Sequence, residues 1–420
     1  MKNLVLICLF LSIFWSSVTA QQNNSLAIGT IDSIHSGILH EERKIWVHLP
    51  SSAGYDKKRK YPVGYLLDAE KNFESVVGMI DFLSSVYNNN VFPEMIVVGI
   101  PNTIRTRDLT PTKVTGGLWI DSFTAANSGG GEAFTSFIEK ELVPHIDSLY
   151  PSMQYRMLIG HSLGGIMVIN TLMHHTKLFR SYIAIDPSMW WDQQRLLHEA
   201  AGTLKTNLYE GATIFLAMAN TMPPGMDTAT AKKDTTSGTI HSRSILQLAR
   251  YMLDNKNGLR ASFKYYDDES HTSVPLAATN DGLHFIFKDY TLKYPRDAFT
   301  DSSFQLAAFL KEHYAALSSE YAMVNEDGSN LLPPQDVVNN LGFFMMSQKQ
   351  FSKAEDLFMM NIQNYPSGVV AYRYLGDLYA AKGDNTKAIA SYKKSLLLKE
   401  DIETRKKLDN LLSPSKGHAG

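Results

Sequence analysis

Arg156-Met157-Leu158-Ile159-Gly160-His161-Ser162-Leu163-Gly164-Gly165-Ile166-Met167 reads as an apolar strand, a sharp turn and an apolar helix. The turn carries Gly-His-Ser-Leu-Gly. A serine at such a strand-to-helix turn adopts strained backbone angles, and glycines two residues to either side keep side chains from colliding there. Its hydroxyl is then presented at a helix N-terminus, where the dipole and unbonded N–H groups favour developing negative charge. The pentapeptide alone is common by accident. The flanking strand and helix identify Ser162 as a candidate nucleophile.

The same alternation continues outward. Between about residues 27 and 293, β-rich runs alternate with helical stretches, the pattern of strands feeding crossover helices in a mostly parallel sheet. Strands are predicted at 44–49, 63–67, 95–100, 156–160, 182–185, 213–218 and 262–266. Helices are predicted at about 75–87, 132–149, 163–175, 240–254 and 278–290, with a Gly/Ser-rich surface loop at 125–131.

A serine needs a base, and folds with this elbow supply the acid and then the histidine later in the chain. His271 fits, in a loop just after the strand ending Tyr265-Tyr266 and before the helix near Ala278. For the orienting carboxylate, Asp227 follows strand 213–218, where the acid is normally presented, and leads. Glu269, two residues before His271, and Asp186, ending the preceding strand, stay open, as does a Ser–His dyad with no acid. Two backbone N–H groups are needed for the oxyanion. Leu163 supplies one, and the Leu66-Leu67-Asp68-Ala69-Glu70 loop the other, from Glu70 or Ala69.

Leu67-Asp68-Ala69, the elbow, Asp186-Pro187-Ser188-Met189-Trp190-Trp191 and Glu269-Ser270-His271 resemble the esterase-D group of bacterial hydrolases, which includes siderophore esterases, feruloyl esterases and mycolyltransferase-like enzymes. Asn102 and Arg105-Thr106-Arg107-Asp108-Leu109-Thr110-Pro111 are similar to a stretch in the siderophore-esterase branch. The resemblance covers about residues 27–293 and implies an α/β-hydrolase fold and ester hydrolysis by an exported enzyme. Ala69 departs from it, standing where many members have glycine.

Trp190 and Trp191 could line an acyl or aromatic pocket or pack in a core. Arg105 and Arg107 could grip an anionic substrate group or pair internally with Asp108. No metal-ligand spacing, phosphate loop or dinucleotide fingerprint appears, so neither a metal nor another cofactor is expected.

Beyond residue 297 strand signals stop. Leu341-Gly342 recurs as Leu375-Gly376, Ala354 as Ala388 and Phe358 as Tyr392, each 34 residues on. That period resembles tetratricopeptide repeats, in which one helix of a pair packs closely on the next. Met345, where the motif prefers an aromatic, and Glu400, in place of a closing proline, depart from it. A small all-α domain over 298–413 is expected, with two repeats at about 335–400 and helices from Ser303 to Ser318 completing the stack.

At the other end, Met1-Lys2-Asn3, an apolar run to Trp15 and small residues up to Ala20 form a secretory signal over residues 1–20, too short to span a bilayer. No membrane span is expected after its removal, and the hydrolase domain covers 21–297. The lone cysteine, Cys8, falls within the signal, so cysteine catalysis is excluded from the mature chain. A net charge of −2 and pI near 6.7 give no basic field for nucleic acid. The expected protein is exported, periplasmic or secreted, and cleaves a small-molecule ester. The alternatives are a silent hydrolase-fold adaptor binding a protein partner through its repeats, or an acyltransferase or peptidase with the same triad.

Overall fold

A computed structural model describes residues 26–54, 59–86, 90–325 and 327–413. The signal expected at 1–20 lies outside the described residues. Eight strands form one sheet: β1 (Thr30–Ser36), β2 (Glu41–His48), β3 (Tyr61–Leu67), β4 (Ile96–Ile100), β5 (Ser152–His161), β6 (Ser181–Ile185), β7 (Thr213–Ala219) and β8 (Arg260–Tyr266). Their order is β1-β2-β4-β3-β5-β6-β7-β8. The hairpin β1–β2 and the pair β2–β4 are antiparallel, and every pairing from β4 to β8 is parallel. The strand order reverses direction between β3 and β5, which opens a crevice at their carboxyl ends, where ligands of open parallel sheets bind.

Strands β3, β4, β6 and β7 are largely apolar on both faces and fully buried, as helices on both sides require. Every predicted strand is present within a few residues. The unpredicted β1 is an edge strand whose residues are mostly polar and exposed, so it has too little apolar periodicity to be read.

One face packs under α2 (Gly131–Phe137), α3 (Val143–Leu149), α4 (Leu163–His174), α5 (Trp191–Thr206) and α6 (Ile240–Leu253); the other under α1 (Ala69–Ser84), α7 (Val274–Ile286) and α8 (Leu306–Tyr321). Between α2 and α3 the predicted helix 132–149 widens into a π turn, Ile138–Leu142. Pro144 follows directly; it has no N–H to bond to an earlier carbonyl, and a local widening accommodates the lost bond. The predicted loop 125–131 is partly helical, because Asp121 caps the short helix Ser122–Asn127 by accepting from the Thr124 N–H at 2.7 Å.

The last five helices are α9 (Gln335–Ser347), α10 (Phe351–Asn364), α11 (Val369–Ala381), α12 (Asn385–Leu398) and α13 (Ile402–Leu412). They share one core with Leu306 and Leu310 of α8. Tyr314, Leu317 and Tyr321, further along the same helix, are buried against the sheet layer. A single helix therefore enters both cores. Gly342 lies under the ring of Phe358 and Gly376 under that of Tyr392, so close that an added Cβ would collide with either ring.

Candidate active site

Ser162 stands between β5 and α4 with φ 58° and ψ −114°, a strained conformation for a non-glycine residue. Backbone bonds hold it there: its N–H donates to Ile185 O at 3.0 Å, and its carbonyl accepts from the N–H of Ile166 at 3.0 Å and of Ser188 at 3.1 Å. A side chain at Gly160 would collide with the Gly164 carbonyl, and one at Gly165 would come within 2.9 Å of Pro187 Cα. Only glycine permits this approach of strand, helix and the β6 loop.

The register of β5 on β6 pairs His161 with Ile185, so the residues that follow, Ser162 and Asp186, emerge side by side at the carboxyl edge. The loop after β8 brings His271 over both. Its Nε2 lies 3.1 Å from Ser162 Oγ, and its Nδ1 lies 2.6 Å from Asp186 Oδ2. Asp186 is buried, and its Oδ1 accepts from the Ala219 N–H at 2.9 Å. Burial pushes its carboxyl up, but the hydrogen bonds from His241 and His271 outweigh burial and hold it well below the usual carboxylate range. An ionised acid that accepts from Nδ1–H leaves Nε2 bare towards the serine, the tautomer a general base requires.

Asp227, the leading candidate from sequence, is not that acid. It caps the short helix Thr228–Ala231, its Oδ1 accepting from the Thr230 N–H at 2.7 Å in full exposure. An aspartate followed by Thr-Ala-Thr is a strong N-cap, and that local role is the one it fills. Glu269 turns to the hydroxyl of Ser273. The carboxylate that meets His271 is Asp186, directly after β6.

The two expected oxyanion donors belong to the first turns of two abutting helices. Leu163 opens α4, and Ala69 and Glu70 open α1 behind Asp68, whose φ of 54° turns the chain. A Cβ on Gly164 would sit 3.3 Å from Asp68 Oδ2, so the helix starts touch. First-turn N–H groups have no acceptor within their own helix. Ala69 itself has ordinary helical geometry and is buried. The positive φ falls on Asp68 instead, so glycine is not required at position 69.

Arg105 and Arg107 are both committed to carboxylates of this chain. Arg105 meets Asp68 through Nε at 2.6 Å and Nη2 at 2.8 Å, and Nη2 also reaches the His161 carbonyl at 3.4 Å. Asn102 Nδ2 completes that cluster, 2.6 Å from both Asp68 Oδ1 and Glu70 Oε1. Arg107 forks onto Glu41 at 2.6 and 3.0 Å and bonds to Asp108 at 2.7 Å. The Arg107 hydrogen bonds outweigh burial and pull the Glu41 carboxyl down to about 2. Internal pairing thus holds for both, but only Arg107 pairs with Asp108.

The two tryptophans divide. Trp191 is buried, its Nε1–H donating to Thr112 O at 3.2 Å. Trp190 is half-buried and stands edge-on to the exposed Trp119, ring centres 5.1 Å apart. Asp192, Gln193 and Gln194, directly after them, all have positive φ, an unusual run for non-glycine residues beside a site.

Three neighbours had no signal in their spacing. Ser188 Oγ lies 3.3 Å from Ser162 Oγ. His161 lies tilted against His271 with ring centres 4.5 Å apart, and burial together with the charge of His271 lowers its imidazole to about 4. His241, on α6, places Nε2 3.0 Å from the same Asp186 oxygen that His271 uses. The ligand atoms of Asp186, His241 and His271 lie within 4.8 Å of one another, a donor set that could hold a metal ion and that sequence spacing did not reveal. Here both imidazoles already point N–H groups at the carboxylate.

Residues 36–227 match the family model described as Esterase. The chain is 30% identical over 175 residues to the siderophore triacetylfusarinine C esterase of Aspergillus fumigatus, 39% of this chain and 60% of that protein. It is 27% identical over 242 residues to the ferri-bacillibactin esterase of Bacillus subtilis, 54% of this chain and 78% of that protein. Among solved structures, an IroE-like serine hydrolase from Shewanella oneidensis superposes with a TM-score of 0.65 at 28% identity, over 80% of this chain and 99% of that one. With the sheet order above, the chain has the α/β-hydrolase fold. Among the described residues no helix is long and apolar enough to cross a membrane.

Proposed function

We propose that this chain is an exported serine hydrolase that cleaves carboxylic esters through an acyl-enzyme on Ser162. One observation carries the reading: Asp186, His271 and Ser162 form a continuous hydrogen-bonded chain, at 2.6 Å and 3.1 Å, at the carboxyl edge of the sheet. Ser162 Oγ attacks the ester carbonyl carbon while His271 Nε2 takes its proton, and Asp186 holds the imidazolium through Nδ1–H. The oxyanion is met by the N–H of Leu163 and one from Ala69 or Glu70. Collapse breaks the C–O bond, and His271 returns the proton to the departing alkoxide. A water deprotonated by His271 then attacks the acyl carbon; the acyl–Oγ bond breaks, His271 returns the proton to Ser162 Oγ, and the carboxylic acid leaves.

Esters of siderophores are the first substrates to try, because the relatives are named for them. The C-terminal helices are read as two tetratricopeptide repeats, supported by the equivalent Gly342–Phe358 and Gly376–Tyr392 packing, and a protein partner is the ligand such repeats take. Export rests on the leader at residues 1–20, and the N-terminal mass of protein recovered from outside the cytoplasm tests it.

The deciding experiment is a fluorophosphonate label on the mature protein together with hydrolysis of p-nitrophenyl and siderophore esters. Label and turnover should both disappear in Ser162→Ala. Survival of either defeats the reading.

A further inference from the structure

The Asp186 carboxylate carries more donors than its reaction with His271 uses. Its Oδ1 accepts from the Ala219 N–H at 2.9 Å, and its Oδ2 accepts from both His271 Nδ1 at 2.6 Å and His241 Nε2 at 3.0 Å. A carboxylate can only accept, so each ring directs an N–H at that oxygen, and His241 is the Nε2–H tautomer. His241 Nδ1 is then buried and has no hydrogen-bond partner. Leaving a buried acceptor unmet costs stability. A histidine serving packing alone would be better replaced by an apolar ring. Its other nitrogen is therefore the one in use.

The two imidazoles approach from different elements. His241 is the second residue of α6, fixed in the helix, whereas His271 sits on the loop between β8 and α7. Their rings meet edge to face, centres 5.6 Å apart. Asp186 itself has φ 41°, directly after its strand, so its backbone alone is a strained mount for a carboxylate. A donor from a rigid helix gives that carboxylate a fixed direction. The histidine on the loop is then oriented by the one on the helix.

We infer that His241 is a positioning residue: its Nε2–H, bonded to Asp186 Oδ2 at 3.0 Å from α6, holds the carboxylate in the orientation that aims His271 at Ser162. The inference deepens the ester-hydrolase reading and rests on it for its kinetic consequence. Its geometric consequence is independent of any substrate.

The test compares His241→Leu with His241→Gln in the full chain. Gln places an amide N–H near the position of Nε2; Leu fills space without a donor. His241→Leu should lower kcat by about ten- to a hundredfold, the scale of a misplacement of about 1 Å, with KM kept within about twofold. His241→Gln should recover most of it. The low-field proton resonance of His271 Nδ1–H reports the bond to Asp186 directly: it should persist in wild type and His241→Gln and vanish by exchange in His241→Leu. An unchanged resonance and kcat in His241→Leu, or equal losses in Leu and Gln, would overturn the inference. Should His241→Leu not fold, His241→Asn, whose amide is too short to reach, takes its place with the same expectations. If wild type neither labels at Ser162 nor cleaves esters, the hydrolase reading fails, while the resonance still decides the role of His241.

Discussion

His271 Nδ1 lies 2.6 Å from Oδ2 of Asp186, a residue 85 positions earlier, while Asp227 turns its carboxylate to the Thr230 N–H. The two aspartates make opposite predictions. Asp186→Asn keeps the shape but favours the wrong tautomer of His271, and kcat should drop by about 10³- to 10⁴-fold. Asp227→Asn should leave kcat unchanged, because asparagine is an equally good N-cap. Steady-state kinetics of the pair checks both, and inactivation by Asp227→Asn would restore it as the acid.

The Arg105–Asp68 fork ties the start of α1 to the residue before the nucleophile. Asp68 is 2% exposed, so removing Arg105 leaves a nearly buried carboxylate with a single amide for support. Arg105→Met should cost roughly 3 kcal/mol in denaturant unfolding. Arg105→Lys should recover little, since an ammonium cannot make two parallel bonds. Asp68 turns the chain ahead of the expected oxyanion donors, so kcat should fall in both.

His161 is partly buried and neutral, with its imidazole lowered to about 4 from an unfolded value of 6.5. Above pH 6.5 it is neutral folded and unfolded and contributes no pH dependence. As pH falls from 6.5 to 4 the unfolded chain takes up this proton first, and stability drops by about 3 kcal/mol before levelling off. His161→Phe should flatten that part of the profile. Chemical denaturation across pH 4–7 measures the difference, and parallel curves for both proteins would refute the assignment.

Gly342→Ala and Gly376→Ala place a methyl group into the rings of Phe358 and Tyr392. Each should destabilise the helical region by about 1–3 kcal/mol through overpacking. Ester turnover should stay within about twofold at temperatures where the helices remain folded, since the site lies at the far edge of the sheet layer. Calorimetry and kinetics on the same samples check it.

The Ser162 turn was legible because its cause is local: Gly160 abuts the carbonyl of Gly164, four residues on, and the strand and helix announce themselves by apolar runs. His271 was legible because a loop histidine after a late strand is what such an elbow needs. The repeat at Gly342 and Gly376 was visible because close helix packing repeats the same small residue at one period.

The carboxylate was not legible. Asp227, Glu269 and Asp186 all follow suitable strands, and which one meets His271 depends on how far each loop carries its side chain across the sheet. His241, in an amphipathic helix, is indistinguishable in sequence from a core-edge histidine. The sequence by itself determined the candidate nucleophile, its candidate base and the alternating layers, because these follow from short-range backbone sterics and apolar periodicity. Only the tertiary structure decided which carboxylate meets His271, the second histidine on it and the internal engagement of Arg105 and Arg107. Those choices rest on the register of β5 on β6 and on groups far apart in the chain competing for the same few oxygens.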